Sequence, residues 1–249
     1  MTTTIRSLTA LAIAAAAGAA AAGPTLDNGP IHNAGVRTID LHGNLLGAPR
    51  ADLTVFSNLE PGYTAERAFS SGDTTAVFGD QLTLAGTGVL QAFSFTLFNS
   101  GSSAGALASA QVAIDFYRAS DGSSIGGFTV NTGNIALGAG FYTVLNVADL
   151  AALGLVLDTT DVIVTQSLVS TVGAANRLGV VSTGAPSIGS SIEQLYIDAL
   201  DVGSGPGFYN ITSGGLPVPF HAGYRVVVPA PGAFALLGAG GLLAARRRR

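Results

Sequence analysis

Serine, aspartate and histidine occur in this chain in the order that hydrolases of the G-x-S-x-G type use. Two such motifs are present, at residues 101–105 (GSSAG) and 122–126 (GSSIG). In a hydrolase the motif lies between a strand and a helix, which places its serine on a strained turn. Ser103 of the first motif follows a strand-like run, and Asp198 and His221 come later in the chain.

The sequence after the first motif does not allow the helix that this chemistry needs. Only residues 106–110 separate it from the next strand-like run. The chain has 34 glycines, and its turns are rich in serine, so matches to the motif arise there by chance. We therefore expect a non-enzymatic protein, and a serine hydrolase using Ser103, Asp198 and His221 is kept only as an alternative.

Histidine and aspartate could bind a metal ion, but neither has a suitable spacing. The three histidines are too far apart for an H-E-x-x-H zinc motif; they are His32, His42 and His221. Three aspartates in polar turns could offer oxygen ligands to calcium: Asp121, Asp158 and Asp161. Calcium takes six to eight oxygens, which no run here supplies, so turn-capping is the favoured interpretation. We expect no metal and no cofactor, with a calcium-binding module as an alternative.

Tyrosine is the side chain that could stack on sugar rings, since the chain has no tryptophan. The six tyrosines are Tyr63, Tyr117, Tyr142, Tyr196, Tyr209 and Tyr224. Strand alternation predicts that Tyr117 faces outward beside an inward Phe116. Packing at a sheet edge would explain an outward tyrosine equally well. A glycan-binding module is therefore a further alternative, which a cluster of tyrosines on one outer face would favour.

Short strands must position all of these residues. In residues 92–98 (AFSFTLF), Phe93 and Phe95 alternate with Ser94, which is the period of a strand with one face in the core. Comparable runs occur at residues 36–41, 53–57, 75–78, 81–84, 111–116, 125–130, 141–147, 161–168, 177–182, 194–197 and 220–228.

About ten to twelve strands with glycine-, serine- and asparagine-rich turns predict an all-β protein. Residues 147–155 give the one hint of a helix, which is too short to cross between parallel strands. We expect an antiparallel, jelly-roll-like β-sandwich that forms one domain over residues 23–225.

The composition excludes several classes of protein. All eleven basic residues are arginine, and cysteine is absent. Without Arg6 and the four terminal arginines, six arginines oppose fifteen acidic residues, a formal charge of −9. This charge repels phosphate backbones, so no nucleic-acid partner is expected. The lack of cysteine excludes disulfides and thiolate metal sites, and burial of a core must stabilise the domain.

The N-terminus has the three parts of a signal peptide. Arg6 gives a positive start, and residues 8–17 form a short apolar region. The alanines at 20–22 then provide the small residues of a cleavage site. We expect residues 1–22 to be removed by signal peptidase, which leaves Gly23 as the first residue of an exported protein.

Residues 226–249 (VVVPAPGAFALLGAGGLLAARRRR) combine a proline break, an apolar run and a basic end. Pro229 and Pro231 prevent a smooth continuation into a helix. The apolar run at 232–245 includes Leu236, Leu237, Leu242 and Leu243. As a helix it would be about 21 Å long, short of a hydrocarbon core of about 30 Å. The basic end consists of Arg246, Arg247, Arg248 and Arg249, whose long stems could extend the reach and hold that end in the cytoplasm.

This order of parts resembles the PEP-CTERM sorting signal of exported bacterial proteins. Pro229, Ala230 and Pro231 match its proline motif, with alanine where the family has glutamate. The resemblance implies a C-terminal transmembrane helix and an exosortase-type enzyme as partner. Membrane insertion does not need the glutamate, whereas processing by that enzyme is the step its absence would affect.

Together these features predict an exported bacterial protein of the cell surface or extracellular matrix with a structural role. It would be anchored in the membrane at the cell surface, or released to the matrix after processing. A glycan- or calcium-binding β-sandwich is the alternative, and a serine hydrolase is the third.

Overall fold

The structure is a computed structural model that describes most of the domain. The described residues are 26, 29–46, 53–59, 64–71, 73, 75–173, 177–199 and 205–229. The predicted signal peptide and the tail beyond Pro229 lie outside them.

Within these residues the chain forms eighteen strands. They are β1 (His32–Ile39), β2 (Leu53–Ser57), β3 (Arg67–Ser70), β4 (Val77–Thr83), β5 (Gly88–Val89), β6 (Ala92–Asn99), β7 (Leu107–Arg118), β8 (Ser124–Asn131), β9 (Phe141–Val147), β10 (Val156–Leu157), β11 (Asp161–Gly173), β12 (Leu178–Ser182), β13 (Ser190–Ser191), β14 (Leu195–Asp198), β15 (Gly207–Tyr209), β16 (Ile211–Ser213), β17 (Leu216–Val218) and β18 (Tyr224–Val228). The prediction of an all-β protein is confirmed.

Two seven-stranded sheets contain most of these strands. The first sheet has the order β1-β9-β6-β12-β3, and β18 pairs with β6 on one side and β2 on the other. The second sheet has the order β15-β14-β4-β11-β7-β8, with β13 also paired to β4. The strands β5 and β10, and β16 and β17, form two small ribbons.

One strand pair departs from the antiparallel prediction. β1 runs parallel to β9, whereas every other pair between described strands is antiparallel. β1 joins β9 from far away in sequence, so no hairpin fixes its direction. Periodicity predicts which side chains are buried and carries no information on direction, which is why the sequence did not reveal this pair.

The predicted strand-like runs are all found, with shifts at their ends. The runs at 75–78 and 81–84 belong to the single strand β4, and Asp161–Gly173 continues beyond its predicted end. The helical hint at 147–155 corresponds only to a 3-10 helix, Leu150–Leu153. β3 and the strands of two or three residues were missed, because they are too short to show a period of two.

Phenylalanines join the two sheets. Phe93 of β6 packs edge to face on Phe116 of β7, with 5.4 Å between ring centroids. Phe69 of β3 packs on Phe78 of β4 at 5.8 Å. Each buried side chain contributes about 1.5–3 kcal/mol, and each edge-to-face pair adds about 0.5–1.5 kcal/mol. The sheets therefore pack face to face, as a β-sandwich requires.

The strand β6 is buried on both faces. Phe93, Phe95 and Leu97 point into the core as predicted. Ser94 lies on the opposite face, but it is only 3% exposed and its hydroxyl donates to Asn146 Oδ1 at 2.9 Å. A second, smaller apolar cluster contributes to covering this face, and it consists of Leu59, Ala68, Phe98, Tyr142, Val144 and Val181. β6 is thus the central strand of the molecule.

Candidate functional site

The second sheet has an outer row of side chains that crosses six strands. Read through the strand registers, the row is Phe208, Tyr196, Gly79, Thr165, Asp115 and Gly127. Directly paired residues of neighbouring strands point to the same side of a sheet. Residues that alternate with them, such as Phe78, Ile114 and Val164, belong to the main core. The outer row therefore points away from the first sheet.

Tyr117 lies beside this row and completes an aromatic patch. It pairs with Ile163 of β11, two residues along from Thr165. Tyr196 and Phe208 pack edge to face with 5.4 Å between ring centroids. We call Tyr117, Tyr196 and Phe208, together with Asp115 and Thr165, the outer aromatic face.

Both phenols on the outer aromatic face stay neutral at physiological pH. Burial raises the pKa of Tyr196 to about 12, and the charge of Asp198 contributes in the same direction. Burial also raises the pKa of Tyr117, with a further rise from the charge of Asp115, which the Thr165 hydroxyl opposes. Neutral phenols can donate hydrogen bonds, and their rings present apolar surface.

Two glycines make room for the polar side chains of the outer row. A Cβ on Gly127 would overlap the Asp115 carboxylate, so the carboxylate leans over the backbone of the edge strand β8. A Cβ on Gly79 would lie 2.5 Å from the carbonyl oxygen of Val164 and 3.0 Å from Cγ2 of Thr165. Burial raises the pKa of the Asp115 carboxyl. The side chain is only partly buried, so a ligand can still reach it.

The outer aromatic face has the chemistry to bind a neutral polyol such as a sugar. Aromatic rings accept its apolar C–H faces, and the partly buried carboxylate of Asp115 can accept hydrogen bonds from its hydroxyls. Tyr196 is only 5% exposed, so the half-buried Tyr117 and Phe208 present the accessible ring surface. The prediction that Tyr117 faces outward is confirmed.

The other tyrosines of the described residues do not contribute to this face. Tyr224 is buried in the main core, and Tyr142 lies in the smaller cluster that covers β6. Tyr209 packs partly against the main core. Tyr63 lies outside the described residues.

A buried polar cluster lies between the two sheets. It contains His221, one of the three residues considered for a hydrolase triad. Nδ1 of His221 lies 2.7 Å from Oγ of Ser191 on β13. Burial raises the pKa of the Asp80 carboxyl, against weaker opposing hydrogen bonds that include one from the Ser191 hydroxyl, and Asp80 Oδ2 accepts from the amide of Ala222 at 3.1 Å. The serine thus lies between the histidine and the aspartate. In a hydrolase triad the histidine holds that middle position, so the cluster differs from the nucleophilic arrangement.

The hydrogen bonds of the described residues do not join Ser103, Asp198 and His221. Ser103 Oγ donates to Asn99 Oδ1 at 2.6 Å and accepts from the amide of Arg177 at 2.9 Å. Asp198 is exposed at the end of β14. The first G-x-S-x-G motif lies in the connection from β6 of the first sheet to β7 of the second, and the other begins in the turn after β7 and runs into β8. A strand, not a helix, follows each motif.

The aspartates considered for calcium are engaged separately. Asp121 Oδ1 accepts from the amide of Ser123 at 2.9 Å, which confirms the predicted turn-capping role. Asp158 pairs with Arg118 at 2.6 Å, and Asp161 accepts from the Thr83 hydroxyl at 2.8 Å. Across the part of the chain that the structure describes, no three His, Asp or Glu side chains come together as a metal site.

Tyr224, whose pKa is raised by burial and by the nearby carboxyl of Asp80, also borders this buried polar cluster. Sequence reasoning missed Asp80, Ser191 and Tyr224 there. The signal for Asp80 was present, because it falls between Phe78 and Leu82 on the inward face of β4. A charged residue at an inward strand position is the kind of exception that marks a special site. Ser191 and Tyr224 give no such signal, since a serine in a turn and a tyrosine in an apolar strand are ordinary.

The predicted sorting motif begins where the described fold ends. β18 continues through Val228, three residues beyond the predicted domain end at 225, and Pro229 follows it directly. Ala230 and Pro231 lie outside the described residues. The same holds for Leu236, Leu237, Leu242 and Leu243, and for Arg246, Arg247, Arg248 and Arg249. Among described residues, no helix has the length and apolar character needed to cross a membrane.

Comparison with known proteins identifies no relative of this chain: no protein-family model matches it, and no curated protein matches its sequence.

Proposed function

We propose that the chain is an exported bacterial protein of the cell surface or extracellular matrix, with a structural, non-enzymatic role. It is a jelly-roll-like β-sandwich preceded by a signal peptide at 1–22 and followed by a PEP-CTERM-like tail. The observation that carries the proposal is the order of parts after β18: Pro-x-Pro, an apolar run and four arginines.

The position of β18 supports a division between domain and tail at Pro229. β18 pairs with β2 and β6, so it is an interior strand of the first sheet. Its valines are buried, whereas Pro229 is half-buried and removes a backbone donor. The domain therefore keeps residues through Val228, and the tail serves as a membrane anchor and as the substrate of an exosortase-type enzyme.

The N-terminus provides the first test of export. Mass spectrometry of the protein from the surface fraction should find a mature start near Gly23, because the small residues at 20–22 form the cleavage site. Peptides that join residues 17 and 25 in the surface fraction would contradict the proposal.

Binding of a glycan is a second candidate function, favoured by the outer aromatic face. Tyr117 and Phe208 present accessible rings, and Asp115 places a carboxylate beside them, whereas Thr165 is buried. The ligand of such a face would be a neutral sugar chain, since the net negative charge of the domain disfavours an anionic one.

A glycan array can test this second function with a matched pair of variants. Tyr117→Ala removes an accessible ring from the outer aromatic face and should abolish binding. Phe141→Ala removes an aromatic ring that is 37% exposed on the first sheet, and it should leave binding unchanged. Equal binding by the parent and Tyr117→Ala would exclude this face as the site.

A further inference from the structure

Asp80 is the carboxyl group most isolated from water in the described chain. It lies in the middle of β4, on the inward face, opposite Val164 of β11. Its exposed fraction is 0%, and its Oδ2 accepts from the amide of Ala222, which precedes β18 in the first sheet. The carboxyl group thus forms a polar contact between the two sheets.

Among the residues that the structure describes, no cationic side chain compensates a charge at this position. The segment at 219–224 presents His221 and Tyr224, and the turn around β13 presents Ser191, with Glu193 further out. β11 presents Val164 and the amide side chain of Gln166. The Arg67–Glu66 pair lies near this segment, where Arg67 Nη1 donates to the carbonyl of Pro219 at 3.3 Å, but Arg67 is paired with Glu66 and makes no contact with Asp80. The other ion pair of the described residues, Arg118–Asp158, involves neither Asp80 nor His221. An ionised carboxylate here would be buried and unpaired, which is strongly unfavourable.

Three buried side-chain oxygens of the described residues have no hydrogen-bond partner. They are Oδ1 of Asp80, the phenol oxygen of Tyr224 and Oε1 of Gln166, all shielded from solvent. An ionised Asp80 could only accept hydrogen bonds, whereas a protonated one carries an O–H donor. The unpaired Oδ1 is therefore the oxygen on which a proton would relieve the burial of charge.

His221 does not provide a compensating positive charge. Burial lowers the pKa of His221, although the charges of Glu193 and Glu66 oppose this effect. Burial raises the pKa of Asp80 well above its usual range, against the hydrogen bonds from Ala222, Gln81 and Ser191. Burial thus favours the neutral form of both groups, so the Asp80 carboxyl keeps its proton and the His221 imidazole is not a cation.

We propose that Asp80 is a neutral carboxylic acid in the folded protein and that its proton makes the contact between the two sheets pH-sensitive. Loss of the proton leaves an unpaired charge between β4 and the segment that leads into β18. Rising pH therefore weakens the contact between the two sheets at this point, whereas mildly acidic conditions preserve it.

The sign of the effect follows from the number of protons bound. An aspartate in the unfolded chain titrates near pH 3.9, and the raised pKa of Asp80 lies above that value in the folded state. Between the two values the folded protein holds one more proton than the unfolded chain. The equilibrium constant for folding therefore falls by up to tenfold for each pH unit of rise in this window.

Urea unfolding of the full chain at a fixed detergent concentration tests the proposal. Asp80→Asn keeps the shape and removes the titration, so its folding constant relative to the parent should rise by up to tenfold per unit between pH 5 and 8. Asp121→Asn is the control, because Asp121 is exposed, its pKa is lowered by bonds from Ser123, and asparagine can still cap the turn. The ratio of the folding constant of Asp121→Asn to that of the parent should not change over this pH range. A pH-independent ratio for Asp80→Asn would overturn the proposal.

A second measurement decides the matter if Asp80→Asn does not fold. The chain is labelled with ¹³C at aspartate side-chain carboxyls, and each resonance is followed by NMR against pH. Asp115→Asn is used as the background, since burial raises the pKa of Asp115 as well. A carboxyl resonance that still titrates above about pH 6 supports a neutral Asp80. If all resonances of the folded protein titrate below about pH 5, Asp80 is ionised and the proposal fails.

Discussion

The phenylalanines between the two sheets carry the largest single-residue effect that we expect on stability. Phe95 is 0% exposed and its ring stacks against that of Phe93 at 6.2 Å. Phe95→Ala should lower the free energy of unfolding by about 3–5 kcal/mol, because it removes buried apolar surface and leaves a cavity. Thr129→Ala, at an exposed position of β8, should change it by less than about 0.5 kcal/mol. Equal losses in urea unfolding would contradict the placement of Phe95 between the sheets.

Asn58 ties the loop after β2 to the backbone around β18. Its Nδ2 donates to the carbonyl of Ala222 at 2.9 Å, and its Oδ1 accepts from the amide of Tyr224 at 2.8 Å. Asn58→Ala should cost at least about 2 kcal/mol, because two buried backbone groups lose these bonds. Asn210→Ala removes an exposed amide and should cost little. Similar unfolding midpoints for the two variants would show that Asn58 does not stabilise this junction.

Alternation along single strands predicted many of these residues, but not their polar contacts. It placed Phe93, Phe95 and Phe116 inward and Tyr117 outward, as the structure shows. Asn58 and Asp80 find their partners 164 and 142 residues away. A local pattern contains no information about such partners, so the buried polar cluster could not be derived from the sequence.

At the scale of elements, Gly179 sets the approach of β12 to β3. It pairs with Ser70, and a Cβ on Gly179 would overlap the carbonyl oxygen of Phe69. Gly179→Ala should therefore cost more than about 3 kcal/mol, since the obstacle is backbone and cannot rotate away. Gly207→Ala is the control within another strand, where the new Cβ would make only ordinary contacts, at 3.8 Å and beyond. A small effect of Gly179→Ala on thermal unfolding would mean that β12 and β3 are not paired in this register.

The sequence predicted elements well where they were long and alternating. β2 and β9 were predicted to the residue, and β6, β7, β8 and β11 with shifted ends. The predicted antiparallel direction was wrong for β1, because an edge strand that arrives from far away in sequence can pair either way. The outer row is a product of register across six strands, and within the outer aromatic face only the outward direction of Tyr117 was predicted from the sequence.

At the scale of the whole molecule, the last strand lies inside the first sheet. A chain that ends at Ala222 would lose β18, which leaves β2 and β6 without the strand between them, so it should be degraded. A chain that ends at Pro229 keeps every described strand, and it should fold. This difference separates loss of the anchor from loss of the fold in any truncation experiment.

Membrane fractionation of a set of C-terminal variants is the most direct test of export and anchoring by the tail. The parent should remain in the membrane of a host that contains an exosortase, and deletion of Arg246, Arg247, Arg248 and Arg249 should weaken its retention. Leu237→Arg should oppose insertion by about 2.5–3.5 kcal/mol, whereas Leu237→Ile should not. The chain that ends at Pro229 should appear in the medium as a folded, soluble domain. If that chain stays as firmly in the membrane as the parent, the tail is not the anchor and the proposed function is wrong.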